Sequence, residues 1–122
     1  MAEKRAATEP AILAVFDTMI AGVADVERKG ATMPYVSING NMYAMINKAG
    51  VIGLRLGEED KATFFATFGE HPFEGVPGFV NKDYVAIPES LRGKAKTLQT
   101  WFKVSHAAAS RLKPKPTTRP AR

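Results

Sequence analysis

Two kinds of side chain in this sequence have the types and spacing that chemistry requires: a histidine beside carboxylates, and an arginine inside an apolar strand. His71 lies next to Glu70 and three residues before Glu74, a grouping that suits a metal ligand or a general base. Neither carboxylate has the helical i, i+4 spacing to His71, and the only other histidine is His106. We therefore expect no metal site and no cofactor, and a histidine that lies on the surface or anchors a loop.

Arg55 interrupts the apolar strand predicted over residues 51–56. It is either an arginine at the sheet rim, whose stem covers apolar surface or whose charge pairs with an acid, or a contact for an anion or a partner. His71 and Lys82, in the segment 69–82, are the other candidates for such a contact. The sequence lacks a GxSxG elbow, an HExxH pair and a glycine-rich strand–turn–helix. We therefore expect no catalytic residues and a protein that is not an enzyme.

The composition excludes several classes of protein. Apolar residues make up 45% of the chain and charged residues 24%, which is typical of a folded domain and not of a disordered one. The absence of cysteine excludes a disulfide scaffold, a thiol nucleophile and a cysteine metal site. No apolar run approaches the roughly 18 residues that span a bilayer, so we expect no membrane partner.

The positive charge belongs to the end of the chain. Residues 1–110 hold twelve basic and twelve acidic side chains, so the net charge of +5 comes from residues 111–122. We expect one domain over 1–110 and a flexible, proline-rich basic tail over 111–122. The tail is either a solubilising terminus or a phosphate contact for nucleic acid, through Arg111, Lys113, Lys115, Arg119 and Arg122. Three tyrosines are expected to pack in the core and not to stack on bases: Tyr35, Tyr43 and Tyr84.

Hydrophobic periodicity predicts three helices. The first begins at Thr8, the second begins at the acids 58–60 and ends at Gly69, and in the last Trp101 anchors the helix against the sheet. Four short strands are predicted at 33–38, 41–47, 51–56 and 84–87. The resulting order is α-β-β-β-α-β-α, an α+β domain with a four-stranded antiparallel sheet and packed helices.

The Asn-Gly pair at 39–40 is the strongest local signal, because both residues accept the positive φ of a type I′ hairpin turn. A two-residue loop pairs Val36 with Tyr43 and Tyr35 with Ala44. This register places Tyr43 and Ala44 on opposite faces of the sheet, and both faces are apolar. We expect both faces to be covered, and the cover is a helix, the segment 69–82 or a second subunit.

The segment 69–82 contains three glycines and two prolines, which predicts an irregular loop. A loop of this length in a small domain is either functional or packed by its own side chains, here Phe73, Val76 and Phe79.

A series of short motifs in the middle of the chain is similar to a known family. They are the run VSINGNMYAM at 36–45, GLRL at 53–56, EEDK at 58–61, Phe64, and downstream the pieces 72–73, 77–78, 82–85, Pro88, Leu98 and Trp101. Together these resemble the N-terminal domain of the TfoX/Sxy family, in its stand-alone form, over about residues 8–112. The motifs are structural, and none of them is catalytic.

The resemblance implies an α+β fold and a bacterial cytoplasmic protein. Named members of the family regulate natural competence genes together with other transcription factors. Two departures weaken the transfer of that role: Pro34 and Tyr35 follow Met33 where the family often has Met-Phe-Gly-Gly, and the regulators' second, helix-hairpin-helix-like domain is replaced by a short basic tail.

Three functional hypotheses follow. The first is a regulatory or adaptor protein linked to transcriptional regulation through protein contacts, for which a homodimer is one arrangement. The second is an accessory protein that contacts nucleic acid through its basic tail. The third is a small-ligand binder or enzyme that uses the segment 69–82, and it requires His71 and Arg55 to face one pocket.

Overall fold

A computed structural model describes residues 9–30, 34–76 and 78–112 of the chain. Its elements, in chain order, are α1 (Pro10–Ile20), β1 (Tyr35–Ile38), β2 (Asn41–Ile46), β3 (Ile52–Arg55), α2 (Glu58–Phe68), β4 (Pro72–Val76), β5 (Phe79–Ala86), a 3-10 turn (Glu89–Leu91) and α3 (Ala95–Ser110). The predicted α+β class is confirmed, with helices packed on an antiparallel sheet. Thr8, the predicted start of the first helix, lies outside the described residues, and Glu9 precedes the helix.

The sheet has five strands in the order β1-β2-β3-β5-β4, so the prediction of four strands is wrong. The extra strand, β4, and the first half of β5 occupy the segment that was predicted to be an irregular loop. The backbone tolerates the breakers there because Pro72 begins an edge strand and Gly78 supplies the positive φ of the turn, +87°. The pairing of β4 with β5 is irregular on both sides of Glu74.

The predicted hairpin between β1 and β2 is confirmed. Asn39 and Gly40 have φ values of 52° and 81°, and Ile38 pairs with Asn41 across the two-residue turn.

Beyond the turn the register differs from the prediction by one residue. Val36 pairs with Ala44 and Tyr35 pairs with Met45, because a β-bulge interrupts the ladder. The extra residue of the bulge is Tyr43, so Tyr43 and Ala44 are both buried in the core beneath the helices instead of lying on opposite faces.

Helices α1 and α3 cover one face of the sheet. The buried residues of the two helices recur at the spacing of one helical face: Ile12, Phe16, Met19, Ile20, Leu98, Phe102, Ser105 and Ala109. The ring of Trp101 packs edge-on against Phe64 and Phe68 of α2 at centroid distances of 5.2 and 6.2 Å, so it joins α3 to α2. Trp101 also packs against the core that the helices share with the sheet.

The other face of the sheet is covered by the chain itself. Phe73 of β4 lies over Gly53 of β3, so closely that a Cβ built on Gly53 would come within 2.5 Å of the ring. Tyr84 stacks on Phe73 at a centroid distance of 5.6 Å, and its hydroxyl donates to the carbonyl of Met42 at 2.8 Å. Phe73 and Tyr84 are thereby buried.

The same hairpin also reaches the end of β2. The side-chain amide of Asn47 donates to the carbonyl of Glu74 at 2.8 Å, which ties β4 to the far side of β3. The segment 69–82 is therefore the cover of the second apolar face, and a second subunit is not needed to bury that face.

Candidate functional site

Four elements meet at a groove of about 700 Å³: the end of β3, the start of α2, the middle of β5 and the end of α3. We call it the basic groove. Its lining residues are Arg55, Leu56, Gly57, Glu58, Lys61, Lys82, Asp83, Ala108, Ala109, Arg111 and Leu112. Cations therefore outnumber carboxylates by four to two among these residues.

Hydrogen bonds hold the walls of the basic groove in place. The hydroxyl of Ser105, buried on α3, donates to the carbonyl of Arg55 at 2.6 Å. The backbone N–H of Leu56 donates to the carbonyl of Asp83 at 3.0 Å, so the end of β3 stays joined to β5. The ammonium of Lys61 donates to the carbonyl of Lys82. The backbone that carries the groove's charges is thus fixed by partners on neighbouring elements.

The charges inside the groove are paired loosely. The guanidinium of Arg55 lies 3.7 Å from the carboxylate of Asp83, with 29% of the arginine side chain and 66% of the aspartate side chain exposed. An ion pair this exposed is screened by water and contributes little to stability. Arg111 follows the last turn of α3, where a cation is favoured by the negative end of the helix dipole.

The structure brings together three of the residues singled out in the sequence: Arg55, Lys82 and Arg111. His71 does not line the groove, because Nε2 of its ring donates to the carbonyl of Phe68 at 2.9 Å, at the end of α2. The ligand hypothesis required Arg55 and His71 to face one pocket, and the groove does not provide it. The tail residues Lys113, Lys115, Arg119 and Arg122 lie outside the described residues.

Sequence reasoning missed Lys61. Lys61 lies in the first turns of α2, which follows Arg55 after a short connection at 56–57. Because the connection is short, a side chain in the first turns of α2 lies close to the end of β3, and this position could have indicated Lys61.

A second feature lies at the far end of the β4–β5 hairpin. Val76 pairs with Phe79 across the turn, and both side chains are exposed, by 56% and 72%, as is the neighbouring Val80 by 52%. We call these three residues the hairpin tip. Single exposed apolar residues are ordinary on protein surfaces, whereas large contiguous apolar patches mark interaction sites.

Of the three tyrosines predicted to pack in the core, Tyr43 and Tyr84 are buried. The hydroxyl of Tyr43 forms a hydrogen bond with Nδ1 of His106 at 2.8 Å, and the Tyr43 ring stacks on Phe102. Tyr35 is half-buried on the edge strand. His106 therefore serves the packing of α3 on the sheet and not the groove.

These phenols give the protein a predictable response to alkaline pH. Burial raises the pKa of Tyr43 and of Tyr84 from 10.0 to about 12, although Arg55 acts in the opposite direction on Tyr84. Above about pH 10 the unfolded chain loses these protons and the folded chain keeps them, so the unfolded state binds fewer protons. We expect stability to fall as the pH rises from about 10 to about 12.

Urea unfolding at a series of pH values measures this slope. The Tyr84→Phe variant removes one of the two buried phenols and should show a shallower fall. An identical slope in wild type, Tyr43→Phe and Tyr84→Phe would contradict the assignment.

Among the residues described, none of the helices has the length and apolarity to cross a membrane. In the same residues there is no group of three or more His, Asp or Glu side chains that could hold a metal ion. Comparisons with protein-family models, with curated proteins and with solved structures gave no match.

Proposed function

We propose that this chain is a cytoplasmic, non-enzymatic regulatory or adaptor protein that acts through contact with another protein, and that the hairpin tip is the contact surface. The observation that carries the proposal is the exposure of Phe79, 72%, at the end of a hairpin whose other phenylalanine, Phe73, is fully buried. The similarity to TfoX/Sxy proteins noted in the sequence supports a link to transcriptional regulation.

Packing and hydrogen bonds hold the hairpin against the sheet. Its base is fixed by the packing of Phe73 on Gly53 and by the hydrogen bond from Asn47 to the carbonyl of Glu74. Nearer the turn, the backbone N–H of Gly78 donates to the carboxylate of Glu74 at 3.1 Å. A preorganised apolar projection loses little conformational entropy on binding, which favours affinity.

The chemistry of the tip defines the partner. Two valines and one phenylalanine offer apolar surface with a single aromatic anchor, and such anchors carry most of the binding energy when they enter a pocket on the partner. The partner is therefore a protein that presents an apolar pocket. A second copy of this chain is the other occupant to be tested, since a homodimer was one arrangement consistent with the sequence.

Affinity capture tests the proposal with the tagged full chain and a lysate of its source organism, quantified by mass spectrometry. We expect one protein to be recovered with wild type and to fall by about tenfold or more with Phe79→Ser, because truncation of a central aromatic costs about 2 kcal/mol. The matched control is Ala66→Ser, an exposed position on α2, which should recover the partner as wild type does.

Each other outcome has a defined meaning. Equal recovery with Phe79→Ser would place the contact elsewhere and overturn the assignment of the tip. If no partner is recovered, sedimentation across a concentration series identifies the second copy: association that depends on Phe79 supports a contact between tips, and a monomer up to about 100 μM contradicts the proposal.

A further inference from the structure

The basic groove has the size and the lining of a site for a small molecule. Its volume of about 700 Å³ lies within the range of about 300–1,000 Å³ that is typical of such sites. The apolar part of its lining consists of Leu56 with three residues at the end of α3: Ala108, Ala109 and Leu112. The other side chains of the lining are charged. A ligand that fits this groove therefore has an apolar part and a charged part.

The charged part of that ligand is an anion. The charged lining consists of four cations and two carboxylates, a net charge of +2: Arg55, Lys61, Lys82 and Arg111 with Glu58 and Asp83. A phosphomonoester carries about −1.5 to −2 at neutral pH, so it neutralises this lining. A single carboxylate group, with one negative charge, leaves half of the net charge unmatched.

Most of the positive charge in the groove is available to an anion. In the part of the chain that the structure describes, the cations of the groove form one ion pair, in which Arg55 lies 3.7 Å from Asp83. Because the Asp83 side chain is 66% exposed, water screens this pair. Lys61 donates to the neutral backbone carbonyl of Lys82, which holds the ammonium in place without cancelling its charge. A bound anion therefore displaces no strong ion pair.

The four cations are carried by four parts of the fold. Arg55 ends β3, Lys61 lies in α2 and Lys82 lies in β5, while Arg111 follows the last turn of α3. The three terminal oxygens of a phosphomonoester point in three directions and accept hydrogen bonds from donors on different elements. The planar forks of the two arginines each pair with two phosphate oxygens. The lining thus suits a phosphate better than a flat carboxylate.

We propose that the basic groove binds a small molecule in which a phosphomonoester is attached to an apolar body. The phosphate lies against the cations, and the body lies against Ala108 and Leu112. This ligand does not require His71, which lies outside the groove. The proposal is also independent of the hairpin tip, because no residue of the tip lines the groove.

Phenyl phosphate is a suitable probe, since it joins a phosphomonoester to a small apolar ring. We would titrate it into the isotope-labelled full chain, in phosphate-free buffer at constant ionic strength, and follow the backbone amides by NMR. We expect the amides at 55–58 and 108–112 to shift, with a Kd of about 1 mM or lower. Inorganic phosphate and phenol, which each supply one part of the ligand, should bind at least about tenfold more weakly.

A charge-matched pair of variants locates the site. The groove variant is Lys82→Gln/Arg111→Gln; both side chains are exposed, and the backbone carbonyl that holds Lys61 is retained. We expect it to bind phenyl phosphate about tenfold more weakly, because two charge-assisted hydrogen bonds are lost. The control, Lys48→Gln/Lys96→Gln, removes two exposed charges that do not line the groove and should bind as wild type does. The dispersion of the amide signals shows that each variant folds.

Four results would overturn the assignment. Shifts confined to amides away from the groove, or equal affinities in the two variants, would show that the groove does not bind the phosphate. Equal affinities for inorganic phosphate and phenyl phosphate would show that the apolar wall takes no part. A phosphoserine peptide that binds about tenfold more tightly than phenyl phosphate would make a phosphorylated protein segment the occupant. Phe79→Ser should bind phenyl phosphate as wild type does, whatever the outcome at the hairpin tip.

Discussion

Replacement of Phe73 by alanine is expected to lower the free energy of unfolding by about 3–5 kcal/mol. The ring is fully buried, lies against Gly53 and stacks on Tyr84. Its removal leaves a cavity under the hairpin and exposes the second apolar face of the sheet. Urea unfolding followed by circular dichroism measures the loss.

The matched control for this prediction is in the same hairpin. Phe79→Ala removes the same number of atoms from a side chain that is 72% exposed, so it should change the free energy of unfolding by less than about 0.5 kcal/mol. Similar losses in the two variants would show that the tip is part of the core. A phenylalanine that stability does not require is a stronger candidate for a binding role.

A methyl group introduced at Gly53 is expected to cause the second large loss in the free energy of unfolding. A Cβ there would lie 2.5–2.6 Å from three carbons of the Phe73 ring, a distance at which the ring must move. We expect Gly53→Ala to lower the free energy of unfolding by about 1–3 kcal/mol, the usual cost of overpacking. The control is Gly93→Ala, since a Cβ at Gly93 meets nothing within 4 Å.

The two substitutions should be coupled. In the Phe73→Ala background the Cβ at residue 53 enters the space that the ring has left, so Gly53→Ala should cost at least about 1 kcal/mol less than in wild type. A double-mutant cycle by urea unfolding measures this difference. Additive losses would show that the hairpin does not lie on β3 as described.

The local parts of the fold follow from the sequence with little ambiguity. The Asn-Gly pair at 39–40 determines the first turn, because few other pairs accept positive φ at both positions, and both residues have it. Helices α1 and α3 can be predicted from hydrophobic periodicity because each of them buries only one side. In these cases the signal and the structure that it specifies are within a few residues of each other.

The prediction of an irregular loop over 69–82 is wrong because it treats every proline and glycine as a breaker, whatever its position in the segment. Pro77 and Gly78 stand between two short apolar runs, the arrangement of a turn between strands. The bulge at Tyr43 has no comparable local signal. It is favoured by partners far along the chain, Phe102 and His106 on α3.

The basic groove could be predicted only in pieces. Arg55 and Lys82 were each recognised as candidates, but their proximity depends on β3 pairing with β5 and on where α3 ends. Such long-range pairing is determined by the whole core and not by the spacing of the two residues. The exposure of the hairpin tip could not be predicted for the same reason. Phe73 is buried and Phe79 is exposed only because of how the strands pair.

The most direct test of the contact at the hairpin tip is covalent. A photo-activated phenylalanine analogue placed at residue 79 of the full chain, in living cells of the source organism, would react with whatever lies against it. The same analogue at residue 66, which is also exposed, serves as the control. The proposed function predicts one adduct of defined mass at residue 79 that is absent at residue 66. The same set of adducts at both positions, or none at residue 79, would contradict it.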